Sequence, residues 1–400
     1  MTTTPQGDTT TPAMLIQHIS DPHIGAARHG HRNPETGENT ADESVIRCFE
    51  HAIRTGQERG VAAQIISGDI WDRGTPTPEM IARVIDPLRE SIRNGIQVIA
   101  EDGNHGRHGV RPGHRGPAEL LRAIGVTVYD QVGMHTVETH SGPLHVLGVP
   151  WPQRAVLAHQ AGVNDVDPAQ LDEILADYLT ELIEDQMEAS DMGAGEHLVV
   201  SSHITINEGT LHRGSETVVN PKGVFEEIQL PIEALTATGA HYVALGHLHE
   251  HQDVGPRASY SGSLDRLTFG EAEDPKGTLL VGLTDVDPTR EFIPTPARRL
   301  LNLHLDADTE PDLSDLEPGT LVKAHLAPGE RVVPEPIRKT ITAAGARLVK
   351  TKPAPMKRTV TAAKIQNGLT LTDATRQWAK AEKLDSTTTQ KVLDRINNYL

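Results

Sequence analysis

The chain has 400 residues, 37% hydrophobic but only 3% aromatic, so its core must be built from Val, Ile, Leu and Ala, and such a composition argues against a base-stacking platform. Its one cysteine, Cys48, excludes an intramolecular disulfide framework, a zinc ribbon or a zinc hook within the chain. The formal net charge of −18 would argue against a nucleic-acid enzyme if it were evenly spread, but it is not. No Lys or Arg lies between Arg154 and Arg213, whereas residues 319–400 carry fifteen Lys/Arg against six Asp/Glu.

Residues 1–12 are Thr/Pro-rich and are expected to be a disordered tail. They lack the charged and apolar regions of a signal peptide, and no apolar run approaches a membrane span. The expectation is a soluble protein with no membrane partner, cytoplasmic in a bacterium or in a phage-infected host. Beyond the tail, strand-like and helix-like patterns alternate to about residue 285, as in an α/β layer fold. MLIQHIS leads into Asp21-Pro22-His23. A helical pattern follows over about 40–59, with Cys48 among its core positions. AAQIIS leads into Gly68-Asp69, and a second helical pattern covers 79–94. IQVIAED leads into Gly103-Asn104-His105. PLHVLGVPW ends at Trp151-Pro152. A third helix, 168–190, carries a stripe of Leu171, Ile174, Leu175, Tyr178, Leu179 and Ile183. HLVVSS then leads into His203, and HYVAL into Gly246-His247-Leu248-His249.

The Pro- and Arg-rich segment 287–299 reads as a first boundary, which limits the main domain to 13–290. A β-β-α-β pattern over 298–352 reads as a small second domain. KTKPAPMKR reads as another linker. The remaining 358–400 holds two short helical patterns, about 372–380 and a second one after Asp385-Ser386, a good N-cap.

Five apolar runs thus end in metal-binding side chains. Short apolar runs between polar breaks read as buried strands, and open α/β sheets bind ligands beyond the carboxyl ends of their strands. Asp21, His23, Asp69, Asn104, His203, His247 and His249 would converge on one sheet edge, the inventory of a two-metal phosphoesterase. Imidazole and carboxylate without thiolate favour Mn, Fe or Zn over Ca or an iron–sulfur cluster. The other histidines act as a control. His18 and His241 lie within strand patterns and read as wall residues, and those in polar stretches read as exposed.

The order D-P-H, G-D-x-x-D, G-N-H, H and G-H-x-H resembles the calcineurin-like metallophosphoesterase superfamily. HISDPHIG, SGDIWDRG and YSGSLDRLTFGEAEDPKG resemble, within it, the SbcD-type DNA-repair nucleases. The resemblance implies a four-layer sandwich of two mixed sheets flanked by helices, with a small α/β capping domain and C-terminal helices that bind an SMC-type ATPase resembling SbcC. It implies 3′–5′ exonuclease action on double-stranded DNA ends and endonuclease action on single strands, as a homodimer within a heterotetramer. It implies two divalent ions, Mn first, with Mg, Fe or Zn as other options. Asp21, His23 and His249 would hold the first ion, Asn104, His203 and His247 the second, and Asp69 would bridge them. A metal-activated hydroxide would attack the phosphodiester, and His105 would be catalytic and not a ligand. Where the family has an acid after the Gly-Asn-His histidine, this chain has Gly106, so Glu101, Asp102 or Asp72 would have to orient His105. The basic segment 107–115 reads as a DNA-backbone contact. A phosphomonoesterase or small-molecule phosphodiesterase of the same superfamily, and a catalytically weak scaffold subunit, are the alternatives.

Overall fold

The computed structural model describes residues 14–107, 110–111, 113–163, 168–193, 195–208, 227–305, 311–314, 316–327, 329–353, 372, 375–376, 379–380 and 385–397. The expected disordered tail, Trp378, Leu384 and Tyr399 lie outside these residues. In chain order the strands are β1 (Met14–Ile19), β2 (Ala63–Ile66), β3 (Gln97–Glu101), β4 (Thr127–Tyr129), β5 (Gly133–Thr139), β6 (Gly142–Val149), β7 (His197–His203), β8 (Thr205–Ile206) and β9 (Gln229–Leu230). They continue as β10 (Tyr242–Gly246), β11 (Gln252–Asp253), β12 (Ala258–Tyr260), β13 (Gly277–Leu283), β14 (Thr289–Pro294), β15 (Leu300–Leu305), β16 (Leu321–Leu326) and β17 (Arg347–Pro353). The helices are α1 (Thr40–Glu58), α2 (Pro78–Arg93), α3 (Asn104–Arg107), α4 (Arg154–Gln160), α5 (Pro168–Glu188), α6 (Glu233–Thr236), α7 (Glu335–Ala343) and α8 (Ser386–Asn397).

Two six-stranded mixed sheets form the body, ordered β14-β13-β1-β2-β3-β4 and β11-β12-β10-β7-β6-β5. In each, the central strands run parallel and the antiparallel strands sit toward the edges. Three clusters define four layers. Val45, Phe49, Ile53, Val84 and Leu88 pack α1 and α2 on the first sheet. Ile16, Ile65 and Ile99 meet Val146, Val199 and Tyr242 between the two sheets. Leu157, Leu175, Leu179 and Ile183 pack α4 and α5 on the second. Because each parallel strand is covered on both faces, it is mostly apolar, and its mid-strand polar groups are bonded inside the fold, as Gln64 Nε2 donates to Gln17 Oε1 at 2.8 Å. Cys48 is buried on α1, and burial pushes its thiol pKa up. The α1 N-terminus is capped by Asn39, whose Oδ1 accepts from the Ala41 N–H at 2.9 Å.

The segment 287–299, read as a domain boundary, supplies β14, which pairs with β13 from Thr289 to Pro294. An edge strand tolerates the proline that suggested a loop. Beyond it, β15, β16 and β17 form a separate three-stranded parallel sheet, with α7 covering its apolar face through Ile337 and Ile341. Strand β17 runs through the first residues of KTKPAPMKR, and the rest of that segment lies outside the described residues. Asp385 caps α8, accepting from the Thr388 N–H at 2.9 Å. Among the described residues no helix is long and apolar enough to cross a membrane.

Candidate metal centre

Three adjacent strands of the first sheet and two of the second end at one cleft. Asp21 and His23 follow β1, Asp69 follows β2, and Asn104 and His105 open α3 after β3. His203 ends β7, and His247 and His249 follow β10. Five described non-glycine residues have positive φ, and four are among these: Asp21 and His23 at 50°, Asp69 at 45° and His247 at 100°. Such backbone strain persists only where surrounding structure enforces it, and it clusters at functional sites. Gly68, at φ 83°, permits the close approach of the two sheets, since a Cβ there would overlap the His203 imidazole.

Side chains from both sheets meet here. His23 Nε2 lies 3.0 Å from His249 Nε2 and 3.9 Å from Asp21 Oδ1. Asn104 Oδ1 lies 3.1 Å from His203 Nε2 and 3.3 Å from His247 Nδ1. Asp69 Oδ2 stands between the two groups, 3.8 Å from His23 Nε2 and 3.5 Å from His203 Nε2. All are buried except Asn104, which is half-buried.

The outward-facing ring nitrogens test whether metal ions fit. His203 Nδ1 lies 2.9 Å from the Ser67 carbonyl, and His247 Nε2 lies 3.3 Å from Glu227 Oε2. His23 Nδ1 and His249 Nδ1 each lie 3.6 Å from a carboxylate oxygen, of Asp72 and Glu271 respectively. The acceptors behind His203 and His247 orient those rings. His23 Nδ1 and His249 Nδ1 are buried without a hydrogen-bond partner. Potential ligand atoms of Asp21, His23 and His249 gather within 4.8 Å of one another, as do those of Asp21, Asp69 and His203, so this imidazole and carboxylate set suits divalent ions. The charges agree. Burial alone would raise Asp69, but the His203, His23 and His105 imidazoles hold it well below the usual carboxylate range. Burial opposes protonation of His203, yet Asp69 pulls it up to about 10, so the cleft's negative charge favours a cation.

His105 adjoins the first donor group, and with His23 and Asp72 it forms a further cluster of potential ligand atoms within 4.8 Å of one another. Its ring meets His23 edge-on at 4.7 Å, and its backbone N–H donates to Asp69 Oδ1 at 2.9 Å. Its Nδ1 lies 3.2 Å from the Asp72 carbonyl and 3.6 Å from Asp72 Oδ1. Of the three acids open to the role, Asp72 is therefore the one beside the ring. Glu101 instead accepts from Ser201 Oγ between the sheets, and Asp102 accepts from the Ala118 N–H and pairs with Arg107 at 3.6 Å. A Cβ on Gly106 would come within 2.9 Å of Asp102 Oδ1, so a side chain there would have to displace that carboxylate.

Sequence reasoning missed Glu227, Glu271 and Lys276. Burial would raise Glu271, but His249 and Lys276 hold it well below the usual range. Lys276 Nζ in turn donates to the His249 carbonyl and to Ser263 Oγ at 2.8 and 2.9 Å. Glu271 and Lys276 stand in FGEAEDPKG, so the segment was visible but its contact with His249 was not. The structure also alters the reading of the 107–115 segment. Arg107 donates to the carbonyls of His114 and Asp130, and Arg115 pairs with Glu119 and Asp130. These two cations hold their own loop. His18 bonds to the Tyr242 hydroxyl at 2.8 Å, and His241 accepts from the Leu198 N–H at 3.1 Å, both away from the centre.

The chain is similar to the DNA double-strand break repair protein Mre11 of Methanopyrus kandleri, 24% identical over 268 residues. It is 23% identical over 294 residues to the Mre11 of Aeropyrum pernix, and 24% identical over 305 residues to the SbcD component of the SbcCD nuclease of Bacillus subtilis. The chain is a homologue of these proteins. The matches cover 66%, 73% and 70% of this chain, and 51%, 63% and 68% of the three relatives. It therefore spans about half the length of the first relative and under two thirds of the second. No family model matches. Among solved structures it resembles a dimetal phosphatase from Danio rerio, with a TM-score of 0.35, 14% identity, and coverage of 70% of this chain and 99% of that one. It also resembles a 5′-nucleotidase precursor from Thermus thermophilus, with a TM-score of 0.30, 13% identity, and coverage of 71% and 55%.

Proposed function

We propose that this protein is a metallophosphoesterase, the metal-dependent nuclease subunit of a DNA-repair complex, hydrolysing DNA phosphodiesters. Asp21, His23 and His249 would hold one ion and Asn104, His203 and His247 the other, with Asp69 between. Manganese is the ion we favour for this oxygen and nitrogen donor set. When bound, two such ions supply Lewis-acid polarisation of the phosphodiester and of the attacking water. His105 meets the reacting phosphate, where its imidazole balances developing charge and delivers a proton to the leaving oxygen. Asp72, beside its Nδ1, keeps that ring in register.

The observation that favours DNA over a small phosphomonoester is the outer face of the β15–β17 sheet. Register sets Asn302, Lys323 and Lys350 in one cross-strand row and His304, His325 and Lys352 in the next. No acid pairs with these lysines among the described residues. Burial lowers the pKa of Lys323, and Lys352 and Lys350 lower it further. Like charges facing each other across strands cost stability, and a phosphate backbone is the partner that offsets this. The face adjoins the metal centre. Lys323 lies 5.7 Å over the Phe269 ring, two residues from the Glu271 that backs His249.

In this reading the chain acts on double-stranded ends with 3′–5′ polarity and on single strands internally. It partners an SMC-type ATPase through residues 358–400, with 298–352 as a capping domain on the nuclease body of 13–290. The test compares duplex and single-stranded DNA with a generic phosphomonoester in manganese. Cleavage of DNA is expected. Efficient monoester hydrolysis with intact DNA would favour a phosphatase instead. Removing residues 365–400 is expected to abolish co-purification with the ATPase and leave manganese-dependent cleavage in place.

A further inference from the structure

Trp151 follows β6 between two buried prolines, Pro150 and Pro152, and its backbone N–H donates to the Asp102 carbonyl at 3.2 Å. Its ring is half-buried and packs on the second group of donors, 5.0 Å from the His247 ring and 6.0 Å from the His203 ring. The same residue lines a cavity of about 610 Å³. Val156 of α4 and Tyr178 and Leu182 of α5 form its apolar walls, and Gln153 and Gln186 stand among its polar groups.

The chemistry of this cavity is not that of a phosphate site. Its two nearest cations, Arg107 and Arg115, are already held by Asp102, Asp130 and Glu119. Besides these, with Asp130 and His114 at the same edge, the lining offers the Trp151 and Tyr178 rings, the aliphatic Val156 and Leu182, and carboxamides. The carboxamide oxygens of Gln153 and Gln186 accept from the N–H groups of Gly113 and Met134. Their amide NH2 groups are left as donors for an acceptor-bearing edge. Stacking on an aromatic ring with hydrogen bonds at the edge is how proteins hold an unpaired base. The volume lies within the ~300–1,000 Å³ of small-ligand sites and is too small for a duplex.

We propose that this cavity seats the unpaired nucleoside next to the scissile phosphate, stacked on Trp151. The assignment rests on the nuclease reading and deepens it. A phosphate at the metal centre would place its neighbouring sugar and base beside His203 and His247, where Trp151 stands. A base held there must have left the helical stack, at a cost that is least in single strands and frayed ends. The cavity therefore predicts a preference for such substrates built into the nuclease body itself.

The test uses the full-length chain and a single-stranded dinucleotide carrying 2-aminopurine, titrated in metal-free buffer with fluorescence as readout. The wild type should quench the probe on binding. Leu182→Trp, which fills the cavity without touching any of the seven donors, should weaken binding about tenfold or more, as should an abasic dinucleotide with the wild type. Trp151→Leu should abolish the quench. If Trp151→Leu also disturbs metal content, Leu182→Trp and the abasic probe carry the result alone. Equal affinity for the abasic and base-bearing probes, together with wild-type affinity in Leu182→Trp, overturns the assignment even if the wild type cleaves DNA. If the wild type hydrolyses a phosphomonoester and leaves DNA intact, the nuclease reading falls, and the nucleoside falls with it.

Discussion

Glu101 ends β3 and His105 lies just beyond it, yet the two should answer mutation in opposite ways. His105 donates its backbone N–H to Asp69, a contact that does not depend on the side chain proposed to act on the phosphate. His105→Ala should therefore keep wild-type metal content, read by elemental analysis, and lose about 10²–10⁴-fold in turnover. Unchanged turnover would remove it from the mechanism. Glu101 is fully buried between the sheets with one hydrogen bond, from Ser201, and burial pushes it to about 8. Below about 4.5 the acid is protonated in both folded and unfolded chains. As pH rises from there toward about 8, the unfolded chain loses the proton and the folded one keeps it, so stability falls through that window and levels off above it. Glu101→Gln should flatten the fall in melting temperature over that range, measured on chelated protein. An identical pH profile for both proteins would show that Glu101 ionises normally.

The three-stranded β15–β17 sheet has an apolar face under α7 and a polar face with lysines in cross-strand register. Replacing Lys323, Lys350 and Lys352 by Ala should weaken DNA binding and lower the slope of log affinity against log salt by about 0.7–0.9 per lost phosphate contact. The same change removes cross-strand repulsion, so the melting temperature should hold or rise. A lower melting temperature with an unchanged salt slope would make the face structural. The element was readable in outline, because Leu301, Leu303 and Leu305 alternate with Asn302 and His304. Its cationic rows were not readable, because register between parallel strands joined by long crossovers leaves no local trace.

The proposed metal centre would tie the body together, since its candidate donors come from three strands of one sheet and two of the other. Ions that bind only the folded chain stabilise it by mass action, about 2.7 kcal/mol at a hundredfold excess over Kd. Chelation should lower the melting temperature by several degrees. Asp69→Ala, which removes the group shared by both sites, should melt low with or without manganese. A wild-type melting curve indifferent to chelation would contradict a centre that spans the two sheets.

The order of the candidate donors was legible in the linear chain for a physical reason. A parallel strand buried on both faces is mostly apolar, so clusters of acids, amides and imidazoles just after it mark the sheet edge. Asp21, His23, Asp69, Asn104, His203, His247 and His249 all stand at such strand ends. The partners behind the rings were decided only by folding. Glu271 backs His249 from 22 residues away, Glu227 backs His247 from 20, and the Ser67 carbonyl backs His203 from 136. Composition also could not show which acids meet the cations of the 107–115 segment. The fold places Asp102 against Arg107, and Asp130 and Glu119 against Arg115. A charge in a sequence has a sign but no direction, and only the tertiary structure shows which acid, ring or ligand it meets.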